Sequence, residues 1–218
     1  MRESNSHEQF RINLDDGTPA LFRTVRSEDQ DALRRGLEYL SERSRYLRFF
    51  SYIDHLTEEQ LEYLTQVDQK KHIAWGALDL NHPEVPGMGI GRIIQSESKP
   101  RTAEMAITIA DHYQQRGLGK IIFALLYQRA QEEGIQRIGF YVMPMNRFLC
   151  SKLRNAGAEI RYEEGIFQIE LPVYKDISKM VDSPDAKPMQ QLMDRLKQLR
   201  SEKDNSLLQQ LKFLGRHL

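Results

Sequence analysis

A turn containing two closely spaced glycines, residues 111–120, is the part of the sequence best suited to bind a ligand. It follows an apolar stretch, Thr102–Ile109, that is typical of a β-strand, and it opens an apolar-periodic segment, residues 117–133, that is typical of a helix. A strand, a turn and a helix in this order direct several backbone N–H groups and the positive end of a helix dipole at one point. We therefore expect the turn to bind an anion such as a pyrophosphate.

The residue types within this turn favour an anion site. Gly117 and Gly119 lack the Cβ atoms that would hold an anion away from the backbone, and Arg116 and Lys120 add positive charge beside it. The turn is not a Walker loop, which requires Gly-x-x-x-x-Gly-Lys-Ser/Thr. It is not a dinucleotide-binding fingerprint either, because Ile122 stands where the third glycine is required. The alternative is a plain strand-to-helix turn with two convenient glycines.

The motif that remains is Gln-x-x-Gly-x-Gly, from Gln114 to Gly119. It resembles the acetyl-CoA signature of the GNAT superfamily of N-acetyltransferases, Gln/Arg-x-x-Gly-x-Gly/Ala, and matches it at every defined position. The resemblance implies acetyl-CoA as co-substrate, with its pyrophosphate on the turn and its pantetheine arm alongside the preceding strand. The binding residues that it implies are Ile107, Thr108, Ile109, Gln114, Gln115, Arg116, Gly117, Leu118, Gly119 and Lys120.

Glu104 is the candidate for acid–base chemistry. Alternation along its strand places it on one face with Ala106 and Thr108, whose small side chains leave room for a cavity. A carboxylate within an apolar sheet is costly to bury unless it is paired or faces a cavity. An amine substrate is protonated near neutral pH, and a carboxylate acting directly or through a water would accept its proton before it attacks a thioester. The alternative is that Glu104 faces water or pairs with Arg92 or Arg101.

Four further segments resemble one branch of the GNAT superfamily, the bacterial protein lysine acetyltransferases that modify acyl-CoA synthetases. The resemblance implies that Glu104 is the general base and that the acceptor is a protein lysine. Members of this branch are often fused to a cyclic-nucleotide-binding or CoA-ligase-like domain, and 218 residues predict the catalytic module alone. The segments are Ser44–Phe50, Leu61–Asp68, Ala103–Ala106 and Asn146–Arg147.

Asn146 has a structural and a functional interpretation. Asparagine is a favoured helix N-cap, and in GNAT proteins the matching residue also lies against the pantetheine or diphosphate region of CoA. Many members carry a tyrosine seven residues later that returns a proton to the thiolate, whereas this position is Leu153 here. The resemblance thus implies that water, or no group at all, has that role, because spacing gives no support to another tyrosine such as Tyr141.

The elements that must position these residues alternate between periods of two and 3.6 residues. The predicted order is two strands, three helices, three strands, a helix, a strand, a helix and a final strand pair, with short polar connections that predict antiparallel neighbours. This is the order of the GNAT fold, and the resemblance covers roughly residues 20–173. The predicted fold class is therefore α/β (α+β), a GNAT-type mixed and largely antiparallel sheet with flanking helices and a C-terminal helical extension.

Two helix starts and one short helix carry further signals. Capping boxes are predicted at Ser27 with Gln30 and at Thr57 with Gln60. Residues 41–50 interleave arginines with aromatic residues. We interpret the aromatic residues of this segment as core and its arginines as a solvated or substrate-facing edge, rather than as a surface for RNA stacking.

Composition favours a small cytoplasmic enzyme. Lys plus Arg and Asp plus Glu each total 31, and the resulting net charge of zero gives no reason to expect nucleic acid or a membrane surface as partner. The polar N-terminus is unlike a secretory signal, and no apolar run approaches the ~20 residues of a membrane span. The single cysteine, Cys150, excludes an intramolecular disulfide and is expected to be a small buried side chain. Six scattered histidines form no recognisable zinc pattern, so no metal is expected.

The chain changes character after residue 175. We predict an acetyltransferase domain over residues 1–175, a polar linker over residues 176–188 and a helical extension over residues 189–218. The extension carries two apolar stripes that are out of phase, which favours two short helices that dock on the domain, join a homodimer or bind a partner. The stripes are Met189, Leu192, Leu196 and Leu199, then Leu207, Leu211, Leu214 and Leu218.

These features together predict an acetyl-CoA-dependent N-acetyltransferase whose acceptor is a protein lysine, with an acyl-CoA synthetase as the partner that the resemblance suggests. The amine would attack the thioester directly, with Glu104 as base and an N–H group of Ile107–Ile109 facing the oxyanion. Two alternatives stay open. One is an enzyme that acetylates a small amine, and the other is a non-catalytic module that senses acyl-CoA and signals through its C-terminal helices.

Overall fold

The computed structural model describes residues 8–177 and 186–199, and the predicted order of strands and helices is confirmed there. The strands are β1 (Gln9–Asn13), β2 (Pro19–Thr24), β3 (His72–Asp79), β4 (Gly89–Gln95), β5 (Thr102–Ile109), β6 (Arg137–Val142), β7 (Glu159–Glu163) and β8 (Ile166–Pro172). They form an eight-stranded sheet in the order β1-β2-β3-β4-β5-β6-β8-β7. Neighbours are antiparallel except β5 and β6, so the mixed, largely antiparallel sheet is also confirmed.

Helices flank both faces of this sheet. They are α1 (Gln30–Gly36), α2 (Glu42–Phe49), α3 (Glu58–Thr65), α4 (Leu118–Glu132), α5 (Arg147–Asn155) and α6 (186–199). Single 3₁₀ turns lie at Ser27–Asp29, Leu37–Tyr39 and Asp111–Tyr113. Among the described residues, none of the helices has both the length and the apolar character that crossing a membrane requires.

One of the two predicted capping boxes is confirmed and one is wrong. Thr57 accepts from the Gln60 N–H at 3.2 Å, and Gln60 Oε1 accepts from the Thr57 N–H at 2.9 Å. At the other site, Ser27 lies inside a 3₁₀ turn, and the Asp29 carboxylate accepts from the Arg26 N–H at 2.8 Å. Asp29 also forms a two-point ion pair with Arg23, at 2.6 and 2.7 Å, so a charged acceptor that is held in place takes the role predicted for the Gln30 side chain.

The helix α4 packs closely on β4 because this strand carries glycine where the helix approaches. A Cβ atom at Gly91 would overlap Ile122 Cγ2 and lie 2.9 Å from Leu126 Cδ1. A Cβ atom at Gly89 would lie 3.3 Å from Leu118 Cδ2. The main hydrophobic core therefore forms between this helix and one face of the sheet.

The helix α6 covers part of the outer side of α4. Gln128 of α4 donates from Nε2 to the Met193 carbonyl at 2.6 Å, and Met193 and Leu196 are buried. The first predicted apolar stripe, Met189 to Leu199, thus packs against the core of the domain. The second stripe, Leu207 to Leu218, lies outside the described residues.

The strands β5 and β6 stay together over a short distance only. Their parallel pairing joins Thr102, Ala103 and Glu104 to residues 137–139. Beyond Glu104, β5 continues beside β4, and β6 continues beside β8. The two central strands therefore separate and leave an opening in the middle of the sheet.

Candidate active site

The opening between β5 and β6 exposes one edge of β5 to a ligand. The Ala110 N–H donates to the Met88 carbonyl at 3.0 Å, on the β4 side. Successive residues of a strand direct their backbone N–H and C=O groups to opposite sides. The backbone groups of Thr108 therefore also point to β4, whereas those of Ile107 and Ile109 point to the opening. An extended ligand can therefore hydrogen-bond to β5 there as an added strand would.

The glycine turn lies at the end of this edge, and its backbone has the shape expected of an anion site. Gln115 and Gly117 have positive φ angles of 61° and 83°, and α4 begins at Leu118. A Cβ atom at Gly117 would lie 2.5 Å from the carboxylate of Asp15, so both the backbone angle and the crowding require glycine. The first N–H groups of α4 have no partners within the helix and are available to an anion.

The side chains of the turn differ in their surroundings. Gln114 donates from Nε2 to the Ile109 carbonyl at 3.2 Å and so ties the turn to the open strand edge. Arg116 forms an ion pair with Asp16 at 3.0 Å and lies over the Tyr113 ring, with 5.4 Å between Cζ and the ring centroid. Lys120 is exposed. Of the two basic residues in the turn, Lys120 is thus the one free to approach a ligand from solvent.

Glu104 is the last residue of β5 that pairs with β6, and it lies where the two strands begin to separate. It is exposed. Within the described residues it forms no ion pair with Arg92 or Arg101, although its charge acts to raise the pKa of Arg48. Glu104 therefore contacts water at the mouth of the opening, and its role as general base stays a prediction.

The expected cavity is confirmed beside Ala106 and Thr108. It has a volume of about 130 Å³ and lies between this face of the sheet and the helices α1 and α2. Its walls are mostly apolar, with Leu33 and Leu37 from the helical side. Three arginines also line it, Arg23, Arg48 and Arg92.

Arg92 and His72 form a polar contact on the cavity face of the sheet. Arg92 Nη1 lies 3.0 Å from His72 Nε2 and donates to the Leu64 carbonyl at 3.2 Å. Burial, followed by the charge of Arg92, lowers the pKa of His72 to about 4. His72 is therefore neutral at physiological pH, and Nε2 is the acceptor of the arginine N–H.

Comparison with known proteins identifies the family to which this site belongs. Residues 36–150 match the acetyltransferase (GNAT) family. The chain belongs to the GNAT acetyltransferase family. This confirms the prediction of an N-acetyltransferase that uses acetyl-CoA.

Two relatives are acetyltransferases, and one of them, Pat, agrees with the branch indicated by the sequence. Acetyltransferase PA5475 of Pseudomonas aeruginosa is 31% identical over 126 residues, which cover 58% of this chain and 67% of that protein. Acetyltransferase Pat of Mycolicibacterium smegmatis is 30% identical over 157 residues, or 70% of this chain. The chain spans 45% of the length of Pat.

Solved structures confirm the GNAT fold. The GNAT domain of S. lividans PAT superposes with a TM-score of 0.67 at 22% identity, covering 75% of this chain and 96% of that one. A cAMP-binding acyltransferase from Mycobacterium smegmatis gives a TM-score of 0.56 at 22% identity, covering 89% of this chain and 55% of that one. A phosphinothricin acetyltransferase from Sinorhizobium meliloti, in complex with AcCoA, gives 0.56 at 13% identity and covers 71% of this chain and 88% of that one.

In this GNAT protein, Asn146 lies on the β6 side of the opening, between the end of β6 and the start of α5. Its side chain accepts from the Leu149 N–H at 3.3 Å, which confirms the N-cap. Leu153 is buried, with an exposed fraction of 4%, so the position of the common tyrosine belongs to the core. Cys150 is also buried, and burial raises the pKa of its thiol, as expected of a small core residue.

Asp111, the first residue of the turn, has a role that the sequence did not indicate. Its carboxylate accepts from the Ser41 N–H at 2.8 Å and from the hydroxyls of Ser41 and Ser44 at 2.9 and 2.8 Å. Burial acts to raise the pKa of Asp111, but these hydrogen bonds outweigh it and the pKa lies below its usual value. Asp111 thereby fixes the start of α2, and with it the cavity wall, to the glycine turn.

Proposed function

We propose that this acetyltransferase modifies a lysine of a partner protein and that Glu104 is the general base. The observation that carries the proposal is the position of Glu104 at the point where β5 and β6 separate, exposed to solvent. A lysine side chain that enters from a protein surface can reach this point without crossing the core. The resemblance to bacterial protein lysine acetyltransferases and the 30% identity with Pat support the protein acceptor.

The binding of acetyl-CoA in this proposal follows the exposed backbone. The pyrophosphate lies on the N–H groups of residues 115–120, and the pantetheine arm lies along Ile107–Ile109. Ile107 offers its backbone groups to the opening and Ile109 its N–H, since the Ile109 carbonyl already accepts from Gln114. Thr108 contributes its side chain to the cavity wall. Asn146 closes the other side of the opening.

The reaction is a direct transfer. The ammonium group of the lysine loses a proton to the Glu104 carboxylate, either directly or through a water molecule. The free amine attacks the thioester carbonyl carbon, a C–N bond forms and the C–S bond breaks. The Ile107 N–H faces the carbonyl oxygen while it carries negative charge. The CoA thiolate leaves and takes a proton from water, since Leu153 supplies none.

The first experiment measures free CoA released from acetyl-CoA, with an acyl-CoA synthetase and, separately, with a panel of small amines. Glu104→Gln should lower kcat by about 10²- to 10⁴-fold. Glu97→Gln is the matched control, because Glu97 is an exposed acid in the loop between β4 and β5 and outside the site. If Glu104→Gln acetylates its best acceptor as fast as the wild type across about pH 6 to 9, Glu104 is not the base.

The acceptor panel separates the three functions that the sequence left open. Thiol release with the synthetase, together with loss of the synthetase activity, supports the protein lysine. Release with a small amine alone contradicts the protein acceptor and assigns a small-molecule acetyltransferase. The absence of release with both, while acetyl-CoA still binds, would favour an acyl-CoA sensor.

A further inference from the structure

Among the described residues, two arginines of the cavity wall lack a hydrogen-bonded acidic partner. Arg48, on α2, and Arg92, on β4, both line the cavity. Within the described residues, neither forms an ion pair with a carboxylate. The third arginine of the wall differs from them, because Arg23 is held by Asp29 through two hydrogen bonds of 2.6 and 2.7 Å. The fold thus neutralises one arginine of this cavity and leaves two positive charges.

These two charges act on each other in a water-poor environment. Arg92 is 5% exposed, and burial, followed by the charge of Arg48, lowers its pKa to about 10. Arg48 is partly exposed, and burial lowers its pKa although the charge of Glu104 acts in the opposite direction. His72 accepts a hydrogen bond from Arg92 but carries no negative charge. A buried charge with a like charge beside it is costly without a compensating anion.

The nearby acids do not supply that anion. Asp68 accepts from the backbone N–H groups of Lys70, Lys71 and His72, each at 2.9 Å, and so stabilises the loop before β3. Glu104 is exposed at the mouth of the opening. It lies on the same face of the sheet as Arg92 and diagonally opposite it, since Glu104 pairs with Ile94 and Arg92 with Ala106. The cavity with its two arginines therefore adjoins the proposed base.

We propose that this cavity is an anion subsite for the acceptor, in which Arg48 and Arg92 bind a carboxylate carried close to the reacting amine. The planar guanidinium groups match the two oxygens of a carboxylate. The volume of about 130 Å³ and the apolar walls suit a short hydrocarbon stem with one carboxylate at its end. This inference rests on the proposed function, whose acceptor it narrows to amines with a nearby acid group.

The carboxylate has two sources that an experiment can distinguish. It belongs either to an aspartate or glutamate beside the target lysine of a protein, or to a small amino acid. The test uses acceptor pairs that differ in one carboxylate alone. One series consists of lysine peptides with Glu or Gln at each position flanking the lysine, and the other pair is γ-aminobutyrate and its amide.

For the preferred acceptor pair, the wild type should have a kcat/KM about 10- to 100-fold higher with the acidic member than with the neutral one, as expected for hydrogen bonds to a charged group. Most of this difference should lie in KM. Arg48→Gln and Arg92→Gln should reduce this preference to less than about 3-fold. Arg43→Gln is the control, because it removes an exposed arginine from the same helix, α2, and should keep the preference.

A binding measurement makes the test independent of catalysis. Butyrate should raise the Tm of the wild type at constant ionic strength, whereas butyramide should not. Arg48→Gln and Arg92→Gln should remove the butyrate effect, and binding of acetyl-CoA by each variant would show that it is folded. Equal use of acidic and neutral acceptors, together with no effect of butyrate, would overturn the subsite. An arginine-dependent butyrate effect without turnover of any acceptor would support the subsite and contradict the proposed function instead.

Discussion

Small residues lie on both faces of the sheet at β4 and β5, but they allow close packing on one face and a cavity on the other. On the face toward α4, Gly89 and Gly91 remove side-chain volume, and the helix fills the space with leucine and isoleucine. On the other face, Ala106 and Thr108 also remove volume, but α1 and α2 lie across a cavity that contains charged groups. Small side chains in a strand therefore indicate space, while the neighbouring element decides whether that space becomes core or a site. We expect stability to depend on the first face and acceptor binding on the second.

Gly91→Ala should give the largest effect on stability, because it tests the packed face directly. The new Cβ would overlap Ile122 and press on Leu126, so we expect a loss of about 2 kcal/mol in the free energy of unfolding. Gly76→Ala is the matched control on β3, where the nearest atom to a new Cβ is the Gly89 carbonyl oxygen at 4.0 Å. Urea unfolding of both variants measures the difference. Equal losses would show that the two faces are equally packed.

Acid should weaken the cavity face through His72. Its pKa is about 4 in the folded protein, below the ordinary 6.5, so the unfolded chain binds the proton first as pH falls. The stability contributed by neutral His72 is therefore complete above pH 6.5 and is lost between 6.5 and about 4. We expect a loss of about 1–2 kcal/mol, reduced by the partial exposure of the ring.

His72→Gln isolates this contribution, because glutamine can accept from Arg92 and does not titrate. The variant should lose less stability than the wild type between neutral pH and about pH 4.5, measured by urea unfolding at each pH. Subtracting one pH profile from the other removes the contributions of acids that titrate alike in the two proteins. Parallel pH profiles would show that His72 does not carry the effect.

Arg92→Met should change stability by less than about 1 kcal/mol at neutral pH, although it removes a buried residue. The loss of a buried charge offsets the loss of the hydrogen bonds to Leu64 and His72. Calorimetry of Arg92→Met and Gly91→Ala would compare the stability that each face of the sheet contributes. A loss as large as that of Gly91→Ala would mean that Arg92 is there for folding rather than for a ligand.

Ala106→Val should have the smallest effect on stability, within about 0.5 kcal/mol, because the added methyl groups enter existing space. The same groups reduce the cavity, so KM for the acceptor should rise while the affinity for acetyl-CoA stays unchanged. Thermal unfolding and steady-state kinetics measure the two effects. A marked fall in Tm would show that the cavity is too narrow to accept a side chain.

The sequence predicted the elements better than the contacts between them. The bounds of β5 agree to the residue, because the strand alternates clearly and ends at turn residues. The cap at Ser27 was wrong because Arg23, which fixes Asp29, comes from the preceding strand. The Ser27–Gln30 pattern therefore predicted the wrong cap, because the contact that decides the cap involves a residue of a second element.

The site shows the same limit. The glycine turn and Glu104 could be recognised because their patterns are short and continuous. The link from Asp111 to Ser41 spans 70 residues, and no local pattern indicates it. Arg92 was weighed as a partner of Glu104, yet its guanidinium turns to His72 on the neighbouring strand. Such choices depend on which strands are adjacent and on which side chains are buried together.

Because β5 and β6 share three residue pairs, the sheet consists of a five-stranded part and a three-stranded part that meet along a short seam. A molecule lying in the opening would hydrogen-bond to β5 on one side and contact β6 on the other. It would thus join the two parts into one continuous sheet. A substrate bound in this opening would therefore also be a structural element of the protein, and its release would leave only the three residue pairs to join the two parts.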